Sequence, residues 1–176
     1  LWNAVLAGTA AVAVAAVGSV EMHRLGAKNR LLSTPPSHKR LLFGTSIEIV
    51  LGVLAFIALL TYLIAVEGTL LTQLFGANPP IPVVYLTLLI LWDLTYRIGT
   101  SWWSAVVALW RAVHLDLPTD EAASARRLDA ENIGFSVLQL ALVPFLLDEP
   151  ILLGAVVGHV LAVAVVCSAA ILLTRP

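Results

Sequence analysis

The stretch Leu91–Trp110, LWDLTYRIGTSWWSAVVALW, sets an acid, a base and a row of hydroxyls inside a run that is otherwise oil. Asp93, Arg97, Thr100 or Ser101, and Ser104 follow one another at steps of three or four. On a helix they share one face. How that face is read depends on the solvent around it.

Composition decides the solvent. Of 176 residues, 60% are apolar and 12% are charged, with a mean hydropathy of +0.95. A soluble domain carries about 25% charged residues to solvate its surface. Half that fraction leaves too little polar surface for a water-soluble globule, so the expected solvent is a lipid bilayer. A helix of about 20 apolar residues crosses the hydrocarbon. Barrel strands would be short and alternating, which these runs are not. The fold class expected is therefore all-α: a polytopic membrane bundle in one domain over residues 1–176.

Five spans are expected, at about residues 2–20, 41–66, 82–110, 133–147 and 151–173. Residues 21–40 and 111–132 are the expected cytoplasmic loops. The span over 82–110 exceeds a perpendicular crossing and should tilt or project into water. The fourth is short, with Pro144 near one end, and Thr119 is a candidate N-cap that would start its helix in water near Asp120. The first stretch is uncharged from Leu1 to Val20 and lacks a basic leader, so it reads as a span rather than a signal peptide. "STPPSHKR" and "GANPPIP" combine prolines with small polar residues and predict turns.

Five crossings sort the charges. Arg24, Lys28, Arg30, Lys39, Arg40, Arg111, Arg126, Arg127 and Arg175 fall on one side, nine of the ten basic residues. Glu67, Asp148 and Glu149 fall on the other, without a base. Positively charged loops stay in the cytoplasm. The N-terminus is then outside, the C-terminus inside, and the prokaryotic cytoplasmic membrane is the expected location.

Within the spans, an Asp or Arg near mid-bilayer costs roughly 2.5–3.5 kcal/mol on insertion scales, so Asp93 and Arg97 should face the protein and pair. Glu48, two turns into the second span, and His159 in the fifth add ionisable groups. Asn132, Ser136 and Gln139 form an i, i+4, i+7 stripe in the fourth. These predict a hydrated cavity open to the cytoplasm and closed near mid-membrane, lined by Tyr96, Thr100, Ser101, Ser104, Ser136 and Gln139. The leading functional expectation is a small channel or carrier for protons or a small ion, working as a homo-oligomer. Asp93 would be its ion site, Arg97 the electrostatic partner, His159 a relay and Glu48 the cytoplasmic acceptor. The bland alternative is that hydroxyl and amide side chains are interhelical glue.

Two further classes compete. One is a non-catalytic membrane subunit that anchors or assembles a larger complex. It would dock through the small residues of span one (Ala4, Gly8, Ala11, Ala15, Ser19) and the charged segment Leu115–Asn132. The other is a membrane enzyme acting on a lipid or isoprenoid, with His23, His38, His114, Asp116, Asp120 and Glu121 near the inner interface. Their spacing matches no metal-ligand pattern. No cofactor or metal is expected. No lysine lies within a span, which excludes a retinal Schiff base, and only His159 is deep, which argues against a bis-histidine haem. Near-zero net charge argues against nucleic acid. Cys167 is single and is expected as a small buried hydrophobe.

Overall fold

A computed structural model describes residues 2–31, 47–65, 76–78 and 80–175. Among them it is all-α: five helices, a 3-10 segment and no strand. The helices are α1 (Trp2–Leu31), α2 (Ile47–Ala65), α3 (Ile81–His114), α4 (Thr119–Leu138) and α5 (Pro150–Leu173), with the 3-10 segment Gln139–Phe145 between the last two.

α1 continues past the expected end of the first apolar stretch to Leu31. The polar residues after Val20 are mostly good helix formers, and no proline intervenes before Pro35. Leu25 fixes this extension, since it is sealed in a cluster with Leu117, Ala122, Ala125, Leu128 and Phe135. Gly76 has φ of +81°, a backbone setting that favours glycine, within the turn expected at "GANPPIP".

α3 is 34 residues long, about 51 Å at about 1.5 Å per residue. It enters with Pro82 in its first turn, where a missing N–H costs nothing, and leaves with Arg111 and His114 at the negative end of its dipole. α4 starts at Thr119, but Pro118 occupies the cap position and no side chain caps the helix. Thr119 is thus not the N-cap. Pro118 serves through its carbonyl, which accepts the Ala122 N–H at 2.8 Å, and Asp120 and Glu121 sit favourably in the first turn.

The α-helical ladder gives way to 3-10 geometry at Gln139, and Pro144 lies inside that segment. Proline has no N–H to give and its ring crowds the carbonyl four residues earlier, so an α-helix does not run through it. α5 packs against α3 and α4, α1 against α3, α4 and the 3-10 segment, and α2 against α3.

Among the described residues, one helix is long and apolar enough to cross a membrane: α5, with a mean hydropathy of 2.6 over its best window. Residues Ile49–Ala65 form a shorter apolar helix. α3 has the length, but Asp93, Arg97 and its hydroxyls dilute its apolar character.

Candidate functional site

The interface of α3, α4 and α5 holds two sets of polar contacts. In one layer, Asn132 of α4 grips Ser101 of α3 twice. Its Oδ1 accepts from Ser101 Oγ at 2.8 Å and its Nδ2 donates to the Ser101 carbonyl at 3.1 Å. Ser136, one turn along α4, places its Oγ 3.3 Å from that of Ser101 and donates to the Asn132 carbonyl at 3.0 Å. Cys167 of α5 completes the layer, with Sγ 3.5 Å from Asn132 Nδ2. The thiol is fully buried, the small packed hydrophobe its sequence context predicts. Ala105, Val163 and Cys167 pack together beside it.

A second layer joins Gln139 to α5. Gln139 Nε2 lies 3.3 Å from His159 Nε2, so the amide donates and the imidazole accepts. The ring's proton is then on Nδ1, which has no hydrogen-bond partner. Trp102 of α3 stands beside the imidazole, with ring centroids 6.1 Å apart.

Asp93 and Arg97 pair along α3 as their spacing predicts. Arg97 Nε donates to Asp93 Oδ2 at 2.8 Å, and Arg97 Nη2 reaches the same oxygen. The partners differ in exposure: the Arg97 side chain is 7% exposed and that of Asp93 39%. Arg97 is sealed because its stem lies over Gly18 of α1, where an added Cβ would stand 3.1 Å from Arg97 Cδ. Tyr96 packs between α2 and α3: a Cβ at Gly52 would come within 3.1 Å of its Cα, and its ring stacks on Trp92 at 6.2 Å. Thr100 bonds back to the Tyr96 carbonyl at 2.9 Å, and Ser104 is half-buried. Glu48 belongs to α2, and its side chain lies outside the described residues.

The structure therefore joins Ser101 with Ser136, Gln139 with His159, and Asp93 with Arg97. It does not join these sets into one hydrogen-bonded chain: the bonds of His159 end at Gln139, away from Asp93 and Arg97. The interfacial histidines stay apart as well. His114 takes its bond at the Trp110 carbonyl and stacks on Trp110 at 5.2 Å, while His23 is exposed. His38 lies outside the described residues. Among the described residues no three His, Cys, Asp or Glu side chains gather as a metal site.

One buried pair escaped the sequence reading. Arg111 Nη2 donates to both oxygens of Asp129, and both side chains are sealed. Arg111 reads as an ordinary loop cation and Asp129 as part of a mixed-charge segment. The missed signal is the periodicity of α4: Asp129 precedes Asn132 by three residues and extends the Asn132–Ser136–Gln139 stripe by one turn. Burial pushes the Asp129 carboxyl up to about 6, against the lowering pull of the Arg111 charge and hydrogen bond.

Among the described residues the protein is all-α, with a polar interhelical core and one helix long and apolar enough to cross a bilayer. The chain belongs to the DUF7530 family, described as a family of unknown function, whose pattern matches residues 1–170. No curated protein and no solved structure matches it.

Proposed function

We propose that this chain is an integral membrane protein that crosses the bilayer five times, N-terminus outside, and serves as a non-catalytic subunit of a membrane assembly. The support for embedding is threefold. α5 has the length and hydropathy of a span. Its outward side chains, Ile151, Leu161, Val165 and Leu172, are exposed aliphatics along the whole helix, a surface that water would not tolerate but acyl chains would. Nine of the ten basic residues fall on one side of a five-span arrangement.

The observation that carries the subunit reading is the contrast between a closed interior and an open flank. Ser101, Ser136 and Gln139 are sealed and spend their hydrogen bonds on neighbouring helices, as interhelical glue does. Asp93 remains 39% exposed on α3, in line with the exposed Leu89 and Leu86 one and two turns earlier. An ionised carboxylate at that depth needs cover from protein rather than lipid. A helix of a partner, or of a second copy, supplies it. A photo-crosslinking side chain at position 89, activated in native membranes, should give a discrete protein adduct. Adducts to lipid alone would end this reading.

Transport of protons or a small cation is the second reading, and the same open carboxylate favours it: Asp93, held by Arg97, would face an ion path between subunits rather than through one. Purified protein in liposomes should then show a flux that Asp93→Asn abolishes. Wild-type vesicles tight to protons and alkali cations would eliminate it.

A further inference from the structure

Where α1 and α4 run side by side, at the end that the proposed topology gives to the inner leaflet, three cations from two helices converge on one carboxylate. Arg24 Nη2 lies 2.5 Å from Glu131 Oε1, and Arg127 Nε donates to the same oxygen at 3.2 Å. Lys28 Nζ stands 3.8 Å from Oε2, beyond hydrogen-bonding reach. Glu21, 3.7 Å from Arg24 Nη1, is the other acid of the group. Three cations against two acids leave one positive charge over.

The layering of this cluster matters more than its sum. The side chains of Arg24, Lys28 and Arg127 are 43%, 41% and 76% exposed, while Glu131 is 18% exposed. The acid lies behind and the cations in front, with donors left over: Lys28 completes no hydrogen bond to Glu131, and Arg127 uses only its Nε there. A second anion approaching from outside would meet cations first.

Toward mid-membrane the same flank turns apolar. On α1, Val20 and Val17 precede Arg24 by four and seven residues and are exposed. On α4, Gly134 and Leu138 follow Glu131 by three and seven residues and are also exposed. A Cβ at Gly134 would meet nothing within 4 Å, so the surface there is open. A soluble anion or an acidic peptide would use the cations and leave the apolar strip idle. An amphiphile with a phosphate at one end and acyl chains at the other uses both.

We propose that this flank binds one anionic phospholipid of the inner leaflet, its phosphate on Arg24, Lys28 and Arg127 and its acyl chains along Val17, Val20 and Leu138. A net-negative headgroup is preferred over a zwitterionic one, whose ammonium would oppose the surplus charge. The proposal rests on the membrane-embedded topology and is independent of whether the protein assembles or conducts.

The test uses the whole chain reconstituted in vesicles of equal phosphatidylglycerol and phosphatidylcholine, extracted in mild detergent, with retained lipids counted by native mass spectrometry. Wild type should retain phosphatidylglycerol in preference. A cation at an anionic surface is worth about a five-fold preference, so Arg24→Gln with Lys28→Gln should lower the preference about 25-fold. Arg175→Gln, which removes a cation elsewhere, should leave it unchanged. Glu131→Gln should raise it, because the phosphate loses its competitor; a cluster serving only to staple α1 to α4 predicts no gain. Equal retention in wild type and the double variant, an equal loss in Arg175→Gln, or no rise in Glu131→Gln each overturns the site. A chain that alkaline carbonate strips from the vesicles overturns the embedded topology as well.

Discussion

Arg111 and Asp129 meet where α3 and α4 run side by side, with Arg111 Nη2 2.9 Å from one carboxylate oxygen and 3.1 Å from the other, and both side chains closed to solvent. Two opposite charges taken out of water repay their desolvation only in part. Here the balance is visible in the carboxyl, which burial holds at about 6 even beside a guanidinium. The carboxyl can therefore shed its charge by taking up a proton, whereas the guanidinium cannot shed its own.

That balance separates the two single substitutions. Arg111→Met strands a buried carboxylate and should cost about 3 kcal/mol, at the low end for breaking a buried pair because Asp129 can take up a proton. Asp129→Asn leaves a buried guanidinium that cannot shed its proton and should cost more, about 4 kcal/mol. The double change to Met and Leu should fall nearer wild type than Arg111→Met alone, since hydrophobic replacements of a buried pair are often neutral. Unfolding midpoints of the detergent-solubilised protein at pH 7.5 check all three. Equal losses from the two single variants would contradict the account.

The same carboxyl gives the protein a pH dependence of known sign. Its folded value, about 6, lies above the unfolded 3.8, so the folded state binds the extra proton between those limits. The stability this contributes is fully present below about pH 4 and is lost as pH rises through about 6. At about 1.4 kcal/mol per unit, the loss is at most on the order of 3 kcal/mol. Thermal unfolding at pH 4.5, 6 and 7.5 should show wild type declining relative to Asp129→Asn. A constant difference between the two across that range would remove the titration from Asp129.

Gly18 of α1 lies against the Phe135 ring of α4. A Cβ there would stand 2.6 and 2.8 Å from two atoms of the buried Phe135 ring, closer than real Cβ contacts allow. Gly18→Ala should therefore destabilise by about 1–3 kcal/mol through overpacking, although alanine favours the helix. Phe135→Leu, which withdraws the ring atoms that clash, should recover part of that loss in the double variant. Gly26, whose Cβ would meet nothing within 4 Å, is the matched control and should tolerate alanine. A midpoint for Gly18→Ala no lower than for Gly26→Ala would show that the ring moves aside freely.

Much of this architecture is legible from periodicity. The Asp93–Arg97 spacing predicts an ion pair along one helix, and the structure has it. The stripe of Asn132, Ser136 and Gln139 predicts a polar face on the fourth helix, and all three side chains are buried, Gln139 at the start of the 3-10 segment that follows α4. Pairings between helices are less legible. Nothing local tells Ser101 that it will meet Asn132, 31 positions later, or Arg111 that its partner is Asp129 rather than water. Such choices depend on helix rotation and depth, which single-helix patterns do not carry. The same limit applies to the expected cavity: a polar face signals either water or another polar face, and Ser101 met the latter.

Asn132 uses both ends of its amide on one residue, accepting from the Ser101 hydroxyl and donating to its carbonyl, so α3 and α4 are tied at one depth and one rotation. Asn132→Ala removes both bonds and leaves a buried hydroxyl to find its partner at Ser136. The cost should be about 1–3 kcal/mol. Ser101→Ala removes one donor and keeps the carbonyl contact, so it should cost less, near the 0.6 kcal/mol average for interhelical bonds in a membrane protein. Because both variants delete the same hydroxyl–amide bond, their combination should cost less than the sum, by about the worth of that bond. The measurement is a double-mutant cycle on unfolding free energies in mixed detergent micelles. Strict additivity would mean that Ser101 and Asn132 do not meet, and that α4 is turned differently about its axis.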